Sequence, residues 1–321
     1  MRFLMLPARP STPVVELAPV PPGWRGAPAR SLAYLRALDP TLKGMIWTSL
    51  AGLLFSLLNT TVRGLTQQMD PLQAQFMRYA AGLLLFVPLL IKSGLLAYRP
   101  KRIGGQFTRG AFHTLGLCLW FIALPKIPLA DMTAIGFTGP IFIMLGAYLF
   151  FKEPMHWDRW VAALLGFAGV MIVVAPKLSG GGGLYHLVML ASSPVFAASF
   201  LLTKSLTRDE SAGVIVFWQA LTVTLFSLPL AAMVWQMPTL LQCAAFMVCG
   251  LLGNASHYCL TRAFGIADIS STQSVKFLDL MWAAILGWMV FGDTPSSSTI
   301  MGGVVISCAT IWIARREARR R

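Results

Sequence analysis

Two opposite charges interrupt an apolar stretch near the end of the chain, where they could bind a ligand or carry a proton. The stretch covers residues 269–291, and Lys276 and Asp279 lie near its middle. Its length is close to the ~20 residues that a helix needs to cross the ~30 Å hydrocarbon core of a bilayer. A charge there costs at least ~2.5 kcal/mol, so both side chains should face a bundle interior or a wet cavity and satisfy one another. Residues three apart share one face of a helix, and Gln273 extends that face.

Two interpretations of this pair stay open. The pair is either a structural ion pair that fixes helix packing or part of a substrate or coupling-ion site. The second is favoured, because charges inside membranes usually serve a function. Under that hypothesis Asp279 carries a proton or the cationic group of the substrate. Lys276 then keeps Asp279 ionised while the site is empty.

Polar residues recur on other apolar stretches. Asn59 lies on a face of small and hydrogen-bonding residues in the first stretch, and Arg78 lies about two turns into the second. The forked guanidinium of Arg78 suits a carboxylate or phosphate of a substrate, or Asp279 itself. The alternative is a structural arginine that snorkels to the membrane surface. Both residues are candidate substrate ligands.

One tryptophan and two histidines complete the candidate site. Trp120, in the third stretch, is the tryptophan best placed to stack a flat ligand. His113 and His257 carry imidazoles, which titrate near neutral pH and can pass protons, although a lone helix histidine is more often a packed hydrogen-bonding residue. The sequence therefore predicts substrate contacts from Trp120 and His257, and proton coupling by Asp279 and His113.

Composition indicates an integral membrane protein. Of 321 residues, 56% are hydrophobic and 12% charged, and the mean hydropathy is +0.68. An ordinary soluble domain has ~25% charged residues. The net charge of +14 does not indicate a nucleic-acid partner, because the basic residues form short runs between apolar stretches. Five cysteines lie in apolar runs without a CxxC pair or a histidine at metal spacing, so no disulfide, metal or cofactor is predicted.

Ten apolar stretches predict an all-α fold of ten transmembrane helices. The third has the shortest uncharged run, since Arg109 and His113 lie near its start, and prolines such as Pro71 and Pro295 mark the connections. The predicted spans cover 44–64, 71–91, 107–124, 129–151, 157–175, 184–203, 212–235, 240–260, 269–291 and 298–314.

The basic residues predict the orientation of these spans. With the amino terminus in the cytoplasm, 21 of the 26 Lys and Arg residues fall on the cytoplasmic side, as the positive-inside rule requires. Both termini are then cytoplasmic. Residues 1–43 form a proline-rich tail that we expect to be disordered, and residues 315–321 form a short basic tail.

An internal repeat divides the spans into two halves. A shift of 141 residues places Phe55 on Phe196 and Arg63 on Lys204, and a shift of 140 places Glu153 on Asp293. Residues 44–176 form the first half and residues 184–314 the second, with a glycine-rich linker at 177–183 between them. Five spans in each half is an odd number, so the halves must be inverted relative to each other.

In this register one half contributes charge and the other contributes small residues. Lys276 corresponds to Gly136, Asp279 to Gly139 and Leu280 to Pro140, a proline that frees a backbone carbonyl near the middle of the membrane. Facing each other, the two segments would leave room for a ligand. The alternative is that the glycines and the proline only permit close packing and a kink.

Short segments of the second, fourth and ninth spans carry a family resemblance. They are QFMRYAAGLLL at 75–85, FFKEP at 150–154, KFLDLMWAAILGW at 276–288 and VFGDTP at 290–295. In these positions they resemble the EamA family of the drug/metabolite transporter superfamily, and the resemblance covers residues 44–314 as two tandem repeats. Thr294 departs from the pattern, because the first repeat has Pro154 at this place.

The resemblance implies an inner-membrane carrier with ten helices, both termini in the cytoplasm, and a central cavity lined by helices 1 to 4 and 6 to 9. Members of the family move amino acids, vitamins such as riboflavin, S-adenosylmethionine and other metabolites. We therefore expect a secondary active transporter that moves a small-molecule substrate by alternating access. Glycine pairs in the fifth and tenth spans suit helix contact or a homodimer.

Two other functions stay open. A non-transporting sensor or scaffold would not require the polar faces to meet in a cavity. An intramembrane enzyme is the weaker alternative, because the sequence has no HExxH, no GxSxG and no carboxylate cluster. No catalytic residue is assigned for that reason.

Overall fold

The computed structural model describes residues 40–136, 138–152, 157, 161, 164–169, 171–172, 183–272, 275–294 and 296–319. All regular secondary structure in these ranges is helical, which confirms the all-α class. Most of the amino-terminal tail, the linker and the fifth predicted span lie outside the described residues, although 164–169 are helical.

The helix bounds follow the predicted spans closely, and local signals explain several of them. Asp70 caps the second helix by accepting a hydrogen bond from the Leu72 amide, and Thr239 forms a capping box with Gln242. The helices are α1 (Pro40–Thr66), α2 (Pro71–Leu84), α3 (Val87–Ser93), α4 (Ile103–Ala123), α5 (Leu129–Gly136), α6 (Thr138–Phe151), α7 (Gly183–Leu206), α8 (Ala212–Met233), α9 (Leu240–Ile266), α10 (Ile269–Thr272), α11 (Phe277–Phe291) and α12 (Ser297–Arg319).

Five segments are long and apolar enough to cross a bilayer, namely α1, the α2–α3 segment Pro71–Ser93, α7, α8 and α9. Shorter apolar helices are Ile141–Phe151, Met281–Phe291 and Ser297–Ala309. Large apolar side chains cover the outer surface, as in Ile91, Met237 and Leu240, which are all more than 80% exposed. Apolar residues outside and polar residues inside are what a bilayer requires of its proteins, so the chain is a multi-pass membrane protein.

The ninth predicted span is interrupted within the described residues. Residue 137, between α5 and α6, and residues 273–274 lie outside the described residues. Val275 and Lys276 are not in an α-helix, and α11 begins at Phe277 with Lys276 as its N-cap residue. The prediction of one continuous helix over 269–291 was therefore wrong at its centre. Broken helices are tolerated at membrane depth where they line a cavity.

The long helices pack along one another and along α11. Helix α1 packs along α9 and α11, α4 packs along α7, and α8 packs along α2 and α4. Glycines allow the closest approach: a Cβ at Gly250 on α9 would lie 2.5 Å from the Gly82 nitrogen on α2. The last helix, α12, contacts α5 and α11.

Candidate functional site

A cavity of about 210 Å³ lies where α1, α2, α4, α5, α7, α9 and α11 meet. This volume holds several water molecules. Seven of the eight residues that the sequence predicts for the site line the cavity, and Gln273 lies outside the described residues. The seven are Asn59, Arg78, His113, Trp120, His257, Lys276 and Asp279.

Lys276 lies just before α11 begins, and Asp279 lies within that helix. Lys276 ends the non-helical segment, and its ammonium nitrogen lies 5.8 Å from the centre of the Phe200 ring. Asp279 is in the first turn of α11, where the helix dipole favours a negative charge. Its carboxylate lies against Gly52 of α1, where a Cβ would overlap it. Within the described part of the chain no ion pair joins Lys276 to Asp279. That the two charges compensate each other stays a prediction.

Arg78, on α2, also lines the cavity. It is 5% exposed, and its guanidinium carbon lies 4.5 Å from the centre of the Tyr79 ring, a cation–π contact. A Cβ on Gly253 of α9 would lie 2.9 Å from one of its terminal nitrogens. Among the described residues Arg78 forms no ion pair, so its charge is available to an anionic group in the cavity.

Aromatic side chains form much of the remaining wall. Phe55, Trp120, Phe196 and Phe200 all line the cavity. Phe196 and Phe200, one turn apart on α7, stack with their ring centres 6.3 Å apart. Flat apolar walls with a few charged groups between them are typical of sites for small amphipathic molecules.

Five helices contribute to a buried hydrogen-bond network beside the charged residues. The Gln219 amide nitrogen, on α8, lies 2.8 Å from His113 Nε2 and 3.0 Å from His257 Nε2. The Tyr79 hydroxyl lies 3.0 Å from the same His113 nitrogen. Nδ1 of His113 lies 3.1 Å from Ser199 Oγ on α7. Both nitrogens of His113 are thus engaged by protein groups, and the two imidazole rings are 5.2 Å apart.

Arg109 stabilises this network through its hydrogen bond to Gln219. It is 1% exposed, and its guanidinium donates to Thr203 Oγ1 at 2.5 Å, to the Ile215 carbonyl at 3.2 Å and to the Gln219 amide oxygen. All three acceptors are neutral. A cation held in this way adds to the positive potential of Arg78 and Lys276, against the single carboxylate of Asp279 on the cavity wall.

Comparison with known proteins identifies the family of the chain. The model of the EamA-like transporter family matches residues 42–175 and again residues 183–315. The chain belongs to the EamA-like transporter family. A riboflavin transporter of Rhizobium johnstonii is 35% identical over 289 residues, which cover 88% of this chain and 95% of that protein. An S-adenosylmethionine uptake transporter of Rickettsia prowazekii is 26% identical over 284 residues, which cover 88% and 96%.

A solved structure titled only as a crystal structure of a protein shares the fold. It superposes with a TM-score of 0.64 at 16% identity and covers 85% of this chain and 98% of its own. The relatives that match over nearly their whole length are named as transporters. This EamA-like chain is therefore a membrane transporter of small metabolites.

Sequence analysis of this transporter missed Gln219, Arg109 and Tyr79 as parts of the site. A signal for Gln219 was present, because the shift of 141 residues that aligns the two halves places Arg78 on Gln219. Tyr79 directly follows Arg78. Arg109 was placed near the start of the third span, on the same polar face as His113, and was not assigned to the site, although the structure buries it completely.

A second set of charges in the transporter lies away from the cavity. Arg63, near the end of α1, forms an ion pair with Asp293, which follows α11, and its guanidinium carbon lies 4.4 Å from the centre of the Phe291 ring. Arg63 is buried, and 23% of the Asp293 side chain is exposed. We call Arg63 and Asp293 the end pair.

Proposed function

We propose that this transporter moves a small polar or amphipathic metabolite across the inner membrane by alternating access as a secondary active carrier. The observation that carries the proposal is the shared cavity of Arg78, Lys276 and Asp279. None of these three charges has an ion-pair partner among the described residues. Charge inside a membrane protein is costly, so charges that face a cavity are best explained by a ligand or a proton.

The roles follow from the positions of the groups. Arg78 binds an anionic group of the substrate, and Asp279 carries a proton or binds a cationic group. Lys276 favours the ionised form of Asp279 while the cavity is empty. Asn59, Trp120, His257 and Gln273 contribute further substrate contacts. Asp279 is a better proton carrier than His113, because both ring nitrogens of His113 are already engaged by the protein.

The substrate we propose has a flat heteroaromatic ring joined to a polar chain. Riboflavin and S-adenosylmethionine, which the relatives are named for, both have this form. Trp120 and Phe196 offer flat faces for the ring. Charged groups of both signs then meet the polar part of the molecule.

Alternating access is supported by corresponding positions of the two halves that meet at the cavity. Gly136 corresponds to Lys276 at the offset of 140 between the two sequence halves, and both residues line the cavity. Two inverted halves of five spans that rock about such a site, with both termini in the cytoplasm, account for this correspondence.

Counterflow in proteoliposomes tests the proposal. Vesicles loaded with unlabelled riboflavin, S-adenosylmethionine, an amino acid or a nucleobase should accumulate the labelled form of the true substrate, and empty liposomes should not. Asp279→Asn should abolish the pH dependence of transport or the transport itself. If folded protein drives no counterflow of any of these compounds, the proposed substrate class is wrong; an unchanged rate and pH profile in Asp279→Asn would remove the carboxylate from the mechanism.

A further inference from the structure

The network around Gln219 determines where its neighbours carry their protons. A guanidinium has only donors, and Arg109 donates to the amide oxygen of Gln219. Rotating the amide by half a turn would direct its NH2 group at those donors. The amide nitrogen of Gln219 therefore has to face the two histidines.

Both hydrogens of this NH2 group have an acceptor waiting. His113 Nε2 and His257 Nε2 lie at 2.8 and 3.0 Å, which are hydrogen-bond distances. A ring nitrogen can accept only if it carries no proton, so each imidazole has to carry its proton on Nδ1. The second contact of His113 agrees with this assignment, because Ser199 Oγ can accept from Nδ1 at 3.1 Å.

The two histidines differ in what remains exposed to the cavity. His113 has protein partners at both nitrogens, whereas within the described residues His257 forms hydrogen bonds through Nε2 alone. Nδ1 of His257 is not fully enclosed by the described part of the chain. His257 lines the cavity, and Phe55 packs edge-on against its ring at 4.9 Å.

We propose that Arg109 and Gln219 are positioning residues that hold His257 with its proton on Nδ1, so that it presents an N–H donor to the substrate. The substrate accordingly has a hydrogen-bond acceptor here, such as a ring carbonyl, a ring nitrogen or a carboxylate. This part rests on the proposed transport function. The proton position itself does not, and it can be measured without a substrate.

The charged groups around His257 are consistent with a neutral ring that donates. Arg78 and Lys276 line the same cavity, Arg109 lies behind Gln219, and Asp279 is the carboxylate on the wall. The nearest titratable neighbours of the ring are His113 and Tyr79, which share the Gln219 contact. An acceptor group of the substrate would bind the Nδ1 hydrogen of His257 and would lie near the cations Arg78, Lys276 and Arg109.

The test is nitrogen NMR of protein labelled with 15N-histidine in lipid bilayers at neutral pH. The chain has four histidines, and the His257 signals are those lost in His257→Gln. We expect a protonated Nδ1 and an unprotonated Nε2 in the native protein. Gln219→Glu replaces the NH2 group by an oxygen that accepts, while Arg109 keeps an acceptor, so Nε2 of His257 should become protonated.

Gln242→Glu is the matched control. It makes the same chemical change at the exposed start of α9, where a glutamate also completes the capping box with Thr239. It should leave the His257 signals unchanged. A protonated Nε2 in the native protein overturns the proposal, as does a His257 proton that stays on Nδ1 in folded Gln219→Glu. The native measurement decides the matter even if that variant does not fold.

Transport separates this proposal from the proposed function. Where a substrate is found, Gln219→Glu should raise its KM about tenfold. The variant removes the Nδ1 hydrogen that His257 donates to the substrate, and the loss of this hydrogen bond is worth roughly 1.4 kcal/mol. The predicted NMR result together with no transport of any compound would leave the tautomer assignment standing and contradict the proposed function. An unchanged KM with the predicted NMR result would remove His257 from substrate contact.

Discussion

The end pair and the cavity charges use the same two helices in opposite ways. Arg63 and Asp293 connect the end of α1 to the end of α11 and compensate each other. Near the middle of the same helices, Asp279 lies against Gly52 without an ion-pair partner in the described chain. The contact between α1 and α11 thus contains a paired charge near its end and a charge without an ion-pair partner, Asp279, at the cavity.

The difference indicates which charge serves stability and which serves transport. A pair at the ends of two helices can hold them together at little cost, because the Asp293 side chain is 23% exposed. An unpaired carboxylate in the interior destabilises the protein unless a ligand, a proton or a water molecule meets it. Substitutions at the two places should therefore have opposite profiles of activity and stability.

Asp279→Asn should have the largest effect on transport. It removes the only carboxylate on the described cavity wall while it keeps the size of the side chain. A hydrogen bond to a charged group contributes about 1.5–3 kcal/mol, so we expect a loss of about 10- to 100-fold in the rate of counterflow. The same change at Asp209, which is 48% exposed and pairs with Arg102 at 3.6 Å, should leave the rate unchanged. Equal rates for the two variants would contradict the contrast between cavity and surface.

Gly52→Ala should weaken transport by moving Asp279 instead of removing it. The added methyl group would overlap the carboxylate, which has to shift away from α1. Overpacking of this kind displaces the carboxylate without removing it, so we expect a loss of about three- to tenfold in counterflow, equivalent to roughly 1 kcal/mol. Gly64→Ala, on the same helix but with open space around position 64, is the control. A loss of the same size in Gly64→Ala would trace the effect to α1 itself and not to Asp279.

Gly253→Ala should have a smaller effect, on Arg78. The new Cβ would lie 2.9 Å from the end of a flexible side chain, which can move by a few tenths of an ångström. We expect KM to rise about two- to threefold, equivalent to roughly 0.5 kcal/mol, with little change in kcat. Gly265→Ala, on the same helix with its nearest neighbouring atom at 3.8 Å, should not change KM. An unchanged KM in Gly253→Ala would argue against Arg78 as a substrate ligand.

The sequence predicted the helices and the charged side chains better than it predicted their partners. Hydrophobic length and proline positions predicted α1, α7, α8 and α9 to within a few residues, because burial in lipid is a property of each segment alone. The non-α-helical backbone at Val275 and Lys276 was missed, since an apolar run does not reveal where its backbone leaves the helix. Gln219 was missed for another reason: its importance depends on Arg109, which lies 110 residues away in the chain.

Asp293→Asn should give the smallest change in transport and a measurable change in stability. It breaks the end pair, whose partner Arg63 is buried and has a second nitrogen, Nε, without a hydrogen bond among the described residues. For a half-buried pair we expect a loss of about 1–2 kcal/mol. The midpoint of thermal unfolding in detergent should fall by about 2–4 °C for each kcal/mol.

Asp279→Asn should leave that midpoint unchanged or raise it, because it removes an unpaired charge from the interior. If Asp279→Asn lowers the midpoint more than Asp293→Asn does, the cavity carboxylate stabilises the fold and the contrast between the two regions is wrong.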